Sequence, residues 1–530
     1  MTARAKDIIK RFDELKSERM PFDSLWQEIA DFNLPNAADF NRTYGIGQKR
    51  RQYLYDNTGE HSLKIFASSI IGFLANPAAR WFTLGIMNEE INRDQEVSEW
   101  LDEAGKTVLN AFNEPSAKFY GHLFTSMVGI GAFGTTAMMV QEGISSQIEF
   151  TSQSVKDLFI SEGHNGAINT VYRQLKFSGQ QLLEKESLRG WSISEKTRKA
   201  ALKDPSKKFD VIHVIRPRKE RVGTLGAQSL EFEGVYVEKD MQHELIEESY
   251  LTFPIPVARW ERTAVEPYGR SPAMTALADV KTANSMQKSI LVASEKQLNP
   301  PMQMPSDGSL GMLDTSAHAI NFYNPKEGEI KPLLSLGNIS IARDDLLAVQ
   351  DAIRRAFFVD QLQIVGTPQM TATEVLQRQD EKGRLLAPSI GMVQAELIGP
   401  IVESTFTILL NNGVIPPAPE ILAGQDVKVL YVSPLTRAQR GGEAQSLLEF
   451  MQSVASVAEI FPEALDRIDI DASIEELHEI GGVPARVLKS LSDAEGARVQ
   501  RAEAQQQQQA LEVAQQGAAA AKDASQAGLI

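Results

Sequence analysis

The residues that could carry out catalysis are scattered along the chain. There is no cysteine, so a thiolate nucleophile, a disulfide and a cysteine–zinc site are all excluded. Neither a Walker A pattern nor G-x-S-x-G occurs, and His478-Glu479 lacks the second histidine of a zincin. The seven histidines are His61, His122, His164, His213, His243, His318 and His478. We therefore predict no enzymatic activity, no catalytic residue, no cofactor and no metal.

One glycine pattern resembles a nucleotide motif. Gly129 to Gly134 fits G-x-G-x-x-G, but a dinucleotide fingerprint needs a strand before it and a helix after it. Here a helical pattern precedes (119–128) and a strand pattern follows (135–140). We interpret the segment as a glycine-rich turn from helix to strand.

The closest approach to a metal cluster is formed by Asp466, Asp469 and Asp471. Counted from Asp469, a calcium loop needs a glycine at position six and a glutamate at position twelve. Those positions hold Ile474 and Ile480, so we interpret the aspartates as a solvated, helix-capping turn.

Two adjacent acidic pairs, Asp344-Asp345 and Glu247-Glu248, are the other carboxylates that could act together. Neighbouring side chains on a helix point apart, so we interpret both pairs as solvated faces.

Two lysines fall on one face of a predicted helix. Lys281, Lys288 and Glu295 are seven residues apart, so on a helix they share one face, with Asn284 nearby.

The element that must position these lysines is a long helix after Tyr268. Ser271 can cap its start, and Pro272 suits the first helical position. Pro300 stops it at Asn299, so roughly 27 residues would span about 40 Å. Its apolar stripe is narrow (Ala273, Leu277, Val280, Ala283, Ile290 and Ala293), which favours a rod packed beside copies of itself.

Composition indicates a folded protein of two to four domains, with 530 residues, 42% hydrophobic and 23% charged. The start lacks a signal peptide and no apolar run reaches about 18 residues, so we expect no membrane insertion and a protein made in the cytosol. The net charge is −15. It argues against gripping nucleic-acid phosphates tightly, and either keeps the protein soluble or lets a polyanion pass without sticking.

The remaining elements follow from periodicity. We predict helices over 1–34, 60–74 and 92–128, a loop with Lys49-Arg50-Arg51 in 36–56, and an antiparallel β-rich body over 135–260. A compact β insertion (302–340) separates the long helix from a second one at 340–358. Residues 359–370 carry Gly366 and Pro368 and are predicted to be an exposed loop.

A third long helix is predicted from Thr371 to Asn412, ending at Gly413. Pro388 and Pro400 lie inside it and should kink it. The kinks are either part of a moving element or fixed. A strand at 427–432 and a small helical bundle at 436–500 follow. The Ala- and Gln-rich tail is either disordered or, in a ring of copies, a barrel of helices.

The order of these features resembles the portal, or head-to-tail connector, proteins of short-tailed (T7-like) double-stranded DNA bacteriophages. The similarity runs along nearly the whole chain. It is carried by strings that are individually weak but together specific: FDSLWQEIADFNLP, ANPAARWFTL, GAINTVYRQL, VIHVIRPRKE, PYGRSPAMTALADVKTAN with NPP, MTATEVLQRQDEKGRLLAPSIGMVQAELIGPIVE, YVSPLTRAQR and GGVPARVL. One departure is Glu247-Glu248-Ser249-Tyr250, where the family pattern has a glycine before the tyrosine.

The resemblance implies an α+β, portal-type multidomain subunit. Its parts would be a β-rich wing (1–267), a first stem helix (268–299), a small α/β clip (300–339), a second stem helix (340–358), a tunnel loop (359–370), a kinked long helix returning to the wing (371–435), a helical crown (436–496) and a C-terminal barrel helix or tail (497–530).

It also implies a homo-oligomeric ring of about twelve subunits at one capsid vertex of the virion, assembled in the host cytoplasm. Double-stranded DNA would pass through it non-specifically. Expected partners are the terminase large subunit, the major capsid and scaffolding proteins, and tail adaptor proteins.

Certain side chains become candidates for contact with the DNA in the channel. Lys281 and Lys288 would form two cationic girdles, unless they pair with a neighbouring subunit's acid. The other candidates are Gln361, Gln363, Thr367 and Gln369 in the tunnel loop, which is otherwise simply solvated. Gly366, Pro388 and Pro400 are the candidate hinge or kink positions.

Two rival classes are a nucleotide-binding enzyme and another virion structural or scaffolding protein. A nucleotide-binding enzyme is disfavoured by the motifs that are missing. Another virion structural or scaffolding protein with a coiled coil is disfavoured because sustained heptads are absent and prolines interrupt the longest helix. A closed-ring stoichiometry would separate a portal protein from an elongated fibre or a dimeric enzyme, and nucleotide-dependent turnover would favour the enzyme.

Overall fold

The structure is a computed structural model with mixed α and β content. It describes residues 3–45, 47–77, 79–88, 91, 94–143, 146–219, 230–305, 314–323, 339–362, 386–422, 427–431, 434–458, 461, 469–481, 494, 496–501, 503–504 and 506–508. The chain divides into two compact units. Unit 1 comprises Met1–Phe82, Thr107–Ile415 and Tyr431–Gln439, and unit 2 comprises Thr83–Lys106, Pro416–Leu430 and Arg440–Ile530.

The first half of the chain is helical and then β-rich, as predicted. Its helices are α1 (Ala3–Asn33), α2 (Thr58–Leu74), α3 (Gln95–Asn113), α4 (Phe119–Phe133), α5 (Gly179–Arg189) and α6 (Glu195–Lys203). Its strands are β1 (Phe82–Ile86), β2 (Thr135–Glu142), β3 (Ile148–Gln153), β4 (Leu158–Glu162), β5 (Ile168–Ser178), β6 (Lys208–Pro217), β7 (Phe232–Glu238), β8 (His243–Tyr250) and β9 (Val257–Arg259).

The centre of unit 1 is a five-stranded antiparallel meander, β4-β5-β6-β7-β8. Side chains alternate between its faces. One face packs Ile212 and Val214 against Ile8 and Phe12 of α1. On the other face Val211 joins a cluster with residues 182, 191 and 193 of the α5–α6 region. A sheet covered on both sides explains why its central strands are apolar on both faces.

Strand β8 was not predicted, and it corrects the interpretation of Glu247-Glu248. The two glutamates lie on a strand, where successive side chains point to opposite faces. Glu247 accepts hydrogen bonds from Arg4 (2.7 Å) and Arg218 (2.8 Å), and the hydroxyl of Tyr250 donates to Glu248. Both carboxylates therefore belong to polar networks rather than to a purely solvated face.

The structure also corrects the interpretation of the glycine-rich segment, Gly129 to Gly134, as a turn. Helix α4 continues through Gly129 and Gly131, and only Gly134 forms the turn into β2, with φ 75°. Gly131 is in the helix because α2 approaches closely. A Cβ there would lie 2.7 Å from Cδ1 of Leu63 and 2.8 Å from Cδ1 of Phe66.

The second half of unit 1 contains the long helices. They are α7 (Pro272–Leu298), α8 (Ile339–Ala356), the short α9 (Val359–Leu362) and α10 (Leu386–Asn411). Helix α7 packs against α8. Between them in sequence, β10 (Met302–Pro305) pairs in parallel with β11 (Ile320–Tyr323). The predicted strand at 330–333 lies outside the described residues.

Helix α10 is long and apolar enough, by length and composition alone, to cross a membrane. Its buried residues Leu397, Ile401, Val402 and Leu409 lie inside unit 1, and Glu396 pairs with a buried arginine. These contacts bury one side of the helix against the rest of unit 1.

Unit 2 contains most of β1 and of its partner strand β12 (Val427–Tyr431), together with helix α12 (Ile470–Gly481). Helix α11 (Pro434–Ala458) belongs to unit 1 up to Gln439 and to unit 2 from Arg440. Asp469 accepts a hydrogen bond from the backbone N–H of Ala472 (3.0 Å), as expected for a capping aspartate. Asp466, the predicted helix at 487–491 and residues 509–530 of the tail lie outside the described residues.

Candidate functional site

The start of α7 confirms the sequence prediction. The Ser271 hydroxyl accepts a hydrogen bond from the backbone N–H of Met274 (3.0 Å), and Pro272 is the first helical residue. The same hydroxyl donates to the carbonyl of Ala132 in α4 (2.9 Å). The cap therefore also fastens the long helix to the body.

The buried stripe of α7 is nearly the predicted one. Ala273, Val280, Ala283 and Ile290 are buried, but Ala276 takes the place expected for Leu277, which is half-buried. Such a thin stripe of small residues leaves most of the helix surface for other contacts.

The lysine face of α7 packs against the same chain. Lys281 forms an ion pair with Glu28 of α1, and its side chain remains 47% exposed. The ammonium of Lys288 lies 5.6 Å from the ring centre of Tyr55, a cation–π contact. The acid beside Lys281 is thus on α1 of the same subunit, an arrangement that the sequence interpretation did not consider.

Between the two lysines, Asn284 holds the loop that precedes α2. Its Oδ1 accepts from the backbone N–H groups of Tyr55 (2.7 Å) and Asp56 (3.2 Å). Its Nδ2 donates to the carbonyl of Tyr53 (3.1 Å). One amide side chain therefore satisfies three backbone groups that are more than 200 residues away in sequence.

The segment 359–370, predicted to be an exposed loop, begins with a short helix. Residues 359–362 form α9, and Val359 is buried. Gln361 is half-buried, and its Oε1 is shielded from solvent without a hydrogen-bond partner among the described residues. Gln363, Gly366, Thr367 and Gln369 lie outside the described residues.

The two predicted kink positions both fall in α10. Pro388 is in the first described turn, and Pro400 follows a π-helical turn, Gln394–Ile398. Proline has no N–H to donate to the preceding turn, so the ladder is interrupted there. The hydroxyl of Tyr431 donates to the Gln394 carbonyl (2.9 Å) inside that turn. The capping residues expected at 371–374 lie outside the described residues.

The π-helical turn is attached to the body by a buried arginine that the sequence did not single out. The Arg259 side chain is fully buried, and its Nη2 donates to Glu396 Oε1 (2.6 Å). The backbone N–H of Arg259 donates to Glu396 Oε2 (3.0 Å), and Nη1 pairs with Glu162. Burial acts to lower the Arg259 pKa, but the two carboxylates more than offset it, so that pKa is raised.

The most perturbed histidine is structural. His213 is completely buried, stacks on Tyr236 with ring centres 3.8 Å apart, and accepts from Arg173 at Nδ1. Burial, and then the Arg173 charge, hold the His213 pKa well below its usual value. No group of three potential metal ligands occurs in the part of the chain that the structure describes.

Comparison with known proteins covers almost the whole chain. The family described as "Bacteriophage head to tail connecting protein" matches residues 5–488. A "Probable portal protein" of Bordetella phage BPP-1 is 29% identical over 525 residues, covering 97% of this chain and 94% of the relative. A "Portal protein" of Salmonella phage epsilon15 is 26% identical over 532 residues, covering 98% and 95%.

Solved structures show only a weak likeness. A chain from the virion of a native gene transfer agent particle has 12% identity and a TM-score of 0.38, covering 80% of this chain and 95% of that one. The neck of the native particle, computed with C12 symmetry, has 11% identity and a TM-score of 0.34, covering 79% and 94%. Scores this low carry no argument about the fold.

The identity of the chain therefore comes from sequence. The family match and the two relatives agree with each other and with the order of features along the chain. The chain belongs to the bacteriophage head to tail connecting protein family, and it is a structural portal protein of the phage particle rather than an enzyme.

Proposed function

We propose that this protein forms a closed ring of about twelve subunits at a unique capsid vertex. Genomic double-stranded DNA is packaged through the ring by a terminase motor and later ejected through it, and the tail attaches to it. The observation that carries the proposal is the family match over residues 5–488 together with two relatives named as portal proteins.

In this proposal the described elements have distinct tasks. Unit 1's sheets and α1 belong to the wing, and α7 and α8 are the stem that lines the channel. Residues 300–339 are the clip, which meets the terminase large subunit and then the tail adaptor. Residues 359–370 are the tunnel loop, 371–435 the kinked helix and the return to the wing, 436–496 the crown and 497–530 the barrel helix or tail.

Exposed apolar side chains on the stem helices support assembly with further copies. A lone subunit would leave five large ones in water on α7 and α8: Leu291, Val292, Leu298, Ile341 and Leu347. Between the helices lies an apolar groove lined by small residues, among them Ser289, Ala293 and Ala342. Exposed apolar side chains beside an apolar groove on the same pair of helices are features that an interface would cover.

The DNA-facing candidates are retained within this proposal. Lys281 and Lys288 contribute charge on the stem, and Gln361, Gln363, Thr367 and Gln369 contribute uncharged polar contacts. Gly366, Pro388 and Pro400 are the proposed hinge positions. Twelve chains of −15 carry on the order of −180 in total, so the ring repels DNA overall and lets it slide.

The remaining partners are the major capsid and scaffolding proteins, and the ring assembles in the host cytoplasm. The supporting observation is again the family match, because a head to tail connecting protein has to contact the capsid on one side and the tail on the other.

The test is native mass spectrometry with negative-stain electron microscopy of the full-length protein. We expect a ring with a central hole and about twelve subunits. Leu291→Glu should reduce ring formation, because it places a charge in the exposed apolar surface of α7. Leu188→Glu, at an exposed leucine of α5, is the matched control and should assemble normally. A stable monomer or dimer, both alone and with capsid and scaffolding proteins, would contradict the proposal.

A further inference from the structure

The segment 42–55, here called the basic loop, has a composition unlike the rest of the chain. Its sequence is RTYGIGQKRRQYLY, with four cations, three tyrosines and no acid. A local charge of +4 in a chain of −15 leaves −19 on all other residues together. The cations are Arg42, Lys49, Arg50 and Arg51.

The basic loop is attached to the lysine face of α7. The three hydrogen bonds of Asn284 fix the backbone at 53–56. The Lys288 ammonium over the Tyr55 ring places a fifth cation beside the loop. The loop and this part of the helix are therefore in contact within unit 1, and together they form a surface that carries five cations.

Much of this surface remains free to bind. The Tyr53 side chain is 78% exposed, and Lys49 is exposed. Arg42 contacts Asp31 at 3.6 Å and the Tyr44 side chain, and its own side chain remains 63% exposed. Arg50 lies over the Tyr44 ring at 4.8 Å, which holds its guanidinium in place.

The other contacts of the loop's arginines are structural. Arg50 donates to the carbonyl of Asn36, and Arg51 pairs with the buried Glu60 at 2.6 Å. Arg51 is therefore an anchor of the loop, whereas Arg42 and Lys49 are the cations best placed to meet a ligand.

We propose that the basic loop, together with Lys288, is a contact surface for the phosphate backbone of double-stranded DNA. Lysine, arginine and tyrosine side chains donate hydrogen bonds to phosphate oxygens without reading base sequence. The inference deepens the proposed DNA conduit and rests on it, because the loop is fastened to the helix assigned to the channel. That placement favours DNA over an acidic protein as the ligand.

The test measures binding of full-length protein to a labelled 30-base-pair duplex of random sequence by fluorescence anisotropy between 50 and 200 mM salt. Each phosphate contact contributes about 0.9 to the slope of log K against log salt. Arg42→Ala with Lys49→Ala should weaken binding and lower the slope by about 1.8. Lys196→Ala with Lys203→Ala removes the same charge from exposed positions on α6 and should leave the slope unchanged.

A third variant tests the tyrosine. Tyr53→Phe removes only an exposed hydroxyl, so it should weaken binding less than tenfold and leave the slope unchanged, because no charge is lost. Unchanged affinity in Tyr53→Phe would overturn the role of this hydroxyl.

Three results would overturn the proposal as a whole. They are an unchanged slope in the Arg42/Lys49 variant, an equal loss in the α6 control, and competition by polyglutamate as effective as that by unlabelled duplex. The last would identify an acidic-protein surface instead. Electron microscopy of the same samples separates this inference from the proposed function. If the protein forms rings but the Arg42/Lys49 variant has an unchanged salt slope, only the proposal for the basic loop is contradicted. If DNA binding depends on the loop but no ring forms, the proposed DNA conduit is contradicted.

Discussion

Replacing Glu396 by leucine should destabilise unit 1 by about 3–5 kcal/mol, the usual cost of breaking a buried ion pair from one side. The reason is the complete burial of Arg259, its partner. Water cannot reach the guanidinium to replace the lost carboxylate, so the cost exceeds that of losing a surface pair.

The magnitude follows from the contacts that would be lost. Glu396 accepts from Arg259 at the backbone N–H (3.0 Å), Nε (3.3 Å) and Nη2 (2.6 Å). A buried donor left without an acceptor costs about 1–3 kcal/mol. Glu162 and the Gly166 carbonyl remain as acceptors for the guanidinium, so the total should stay within the range for a single broken pair.

The assay is urea unfolding followed by tryptophan fluorescence, with all variants at one protein concentration because assembly links stability to concentration. The midpoint shift at constant m gives the change in the free energy of unfolding. Arg259→Met with Glu396→Leu should recover most of the loss, since apolar replacement of a buried pair is often nearly neutral. Glu14→Leu, which breaks the half-exposed pair with Arg11, should change stability by less than about 1 kcal/mol.

Two results would refute this reasoning. In the first, Glu396→Leu unfolds at the same urea concentration as the wild type, which would mean that the pair contributes nothing. In the second, the loss of unfolding free energy in the double variant equals the sum of the losses in Glu396→Leu and Arg259→Met. That result would mean that the two residues do not interact.

Two further predictions use the same unfolding assay. Gly131→Ala should destabilise the protein by about 1–3 kcal/mol, because the added Cβ would meet Leu63. A Cβ added at Gly121 of the same helix meets nothing within 4 Å, so Gly121→Ala should stabilise the protein by up to about 1 kcal/mol. Equal effects of the two substitutions would contradict the packing argument. The His213 pKa is lowered in the folded state, so the unfolded chain binds the proton first and stability should fall as pH drops below about 6.5, by up to about 1.4 kcal/mol per pH unit. His213→Gln, whose amide oxygen can still accept from Arg173, should lack that component between pH 7.5 and 5.5, and an unchanged pH slope would count against it.

The sequence by itself was enough for features that depend on neighbouring residues. The start of α7 could be predicted because a cap acts within one helical turn, and Ser271 and Pro272 are the residues that such a turn needs. The end of α10 followed from Gly413, whose φ of 69° suits a glycine after a helix. The antiparallel body followed from strand alternation and turn residues, and the family from the order of strings along the chain.

Features that depend on distant residues were decided only by the tertiary structure. Asn284 was noted for its place beside two lysines, but its three bonds to residues 53–56 have no local signature. Gly131 fitted a turn by composition, and only the proximity of α2 shows why glycine is needed inside a helix.

The same limit applies to charge pairing. Lys281 was expected to face DNA or an acid of a neighbouring subunit, and the fold places it beside Glu28 of its own chain. Arg259 and Glu396 are 137 residues apart and meet because β9 and α10 pack together. Spacing rules act over one or two helical turns, whereas the partner of a charged side chain is set by how whole elements pack. The sequence therefore determined the family and the local elements, and the tertiary structure decided which side chains act together.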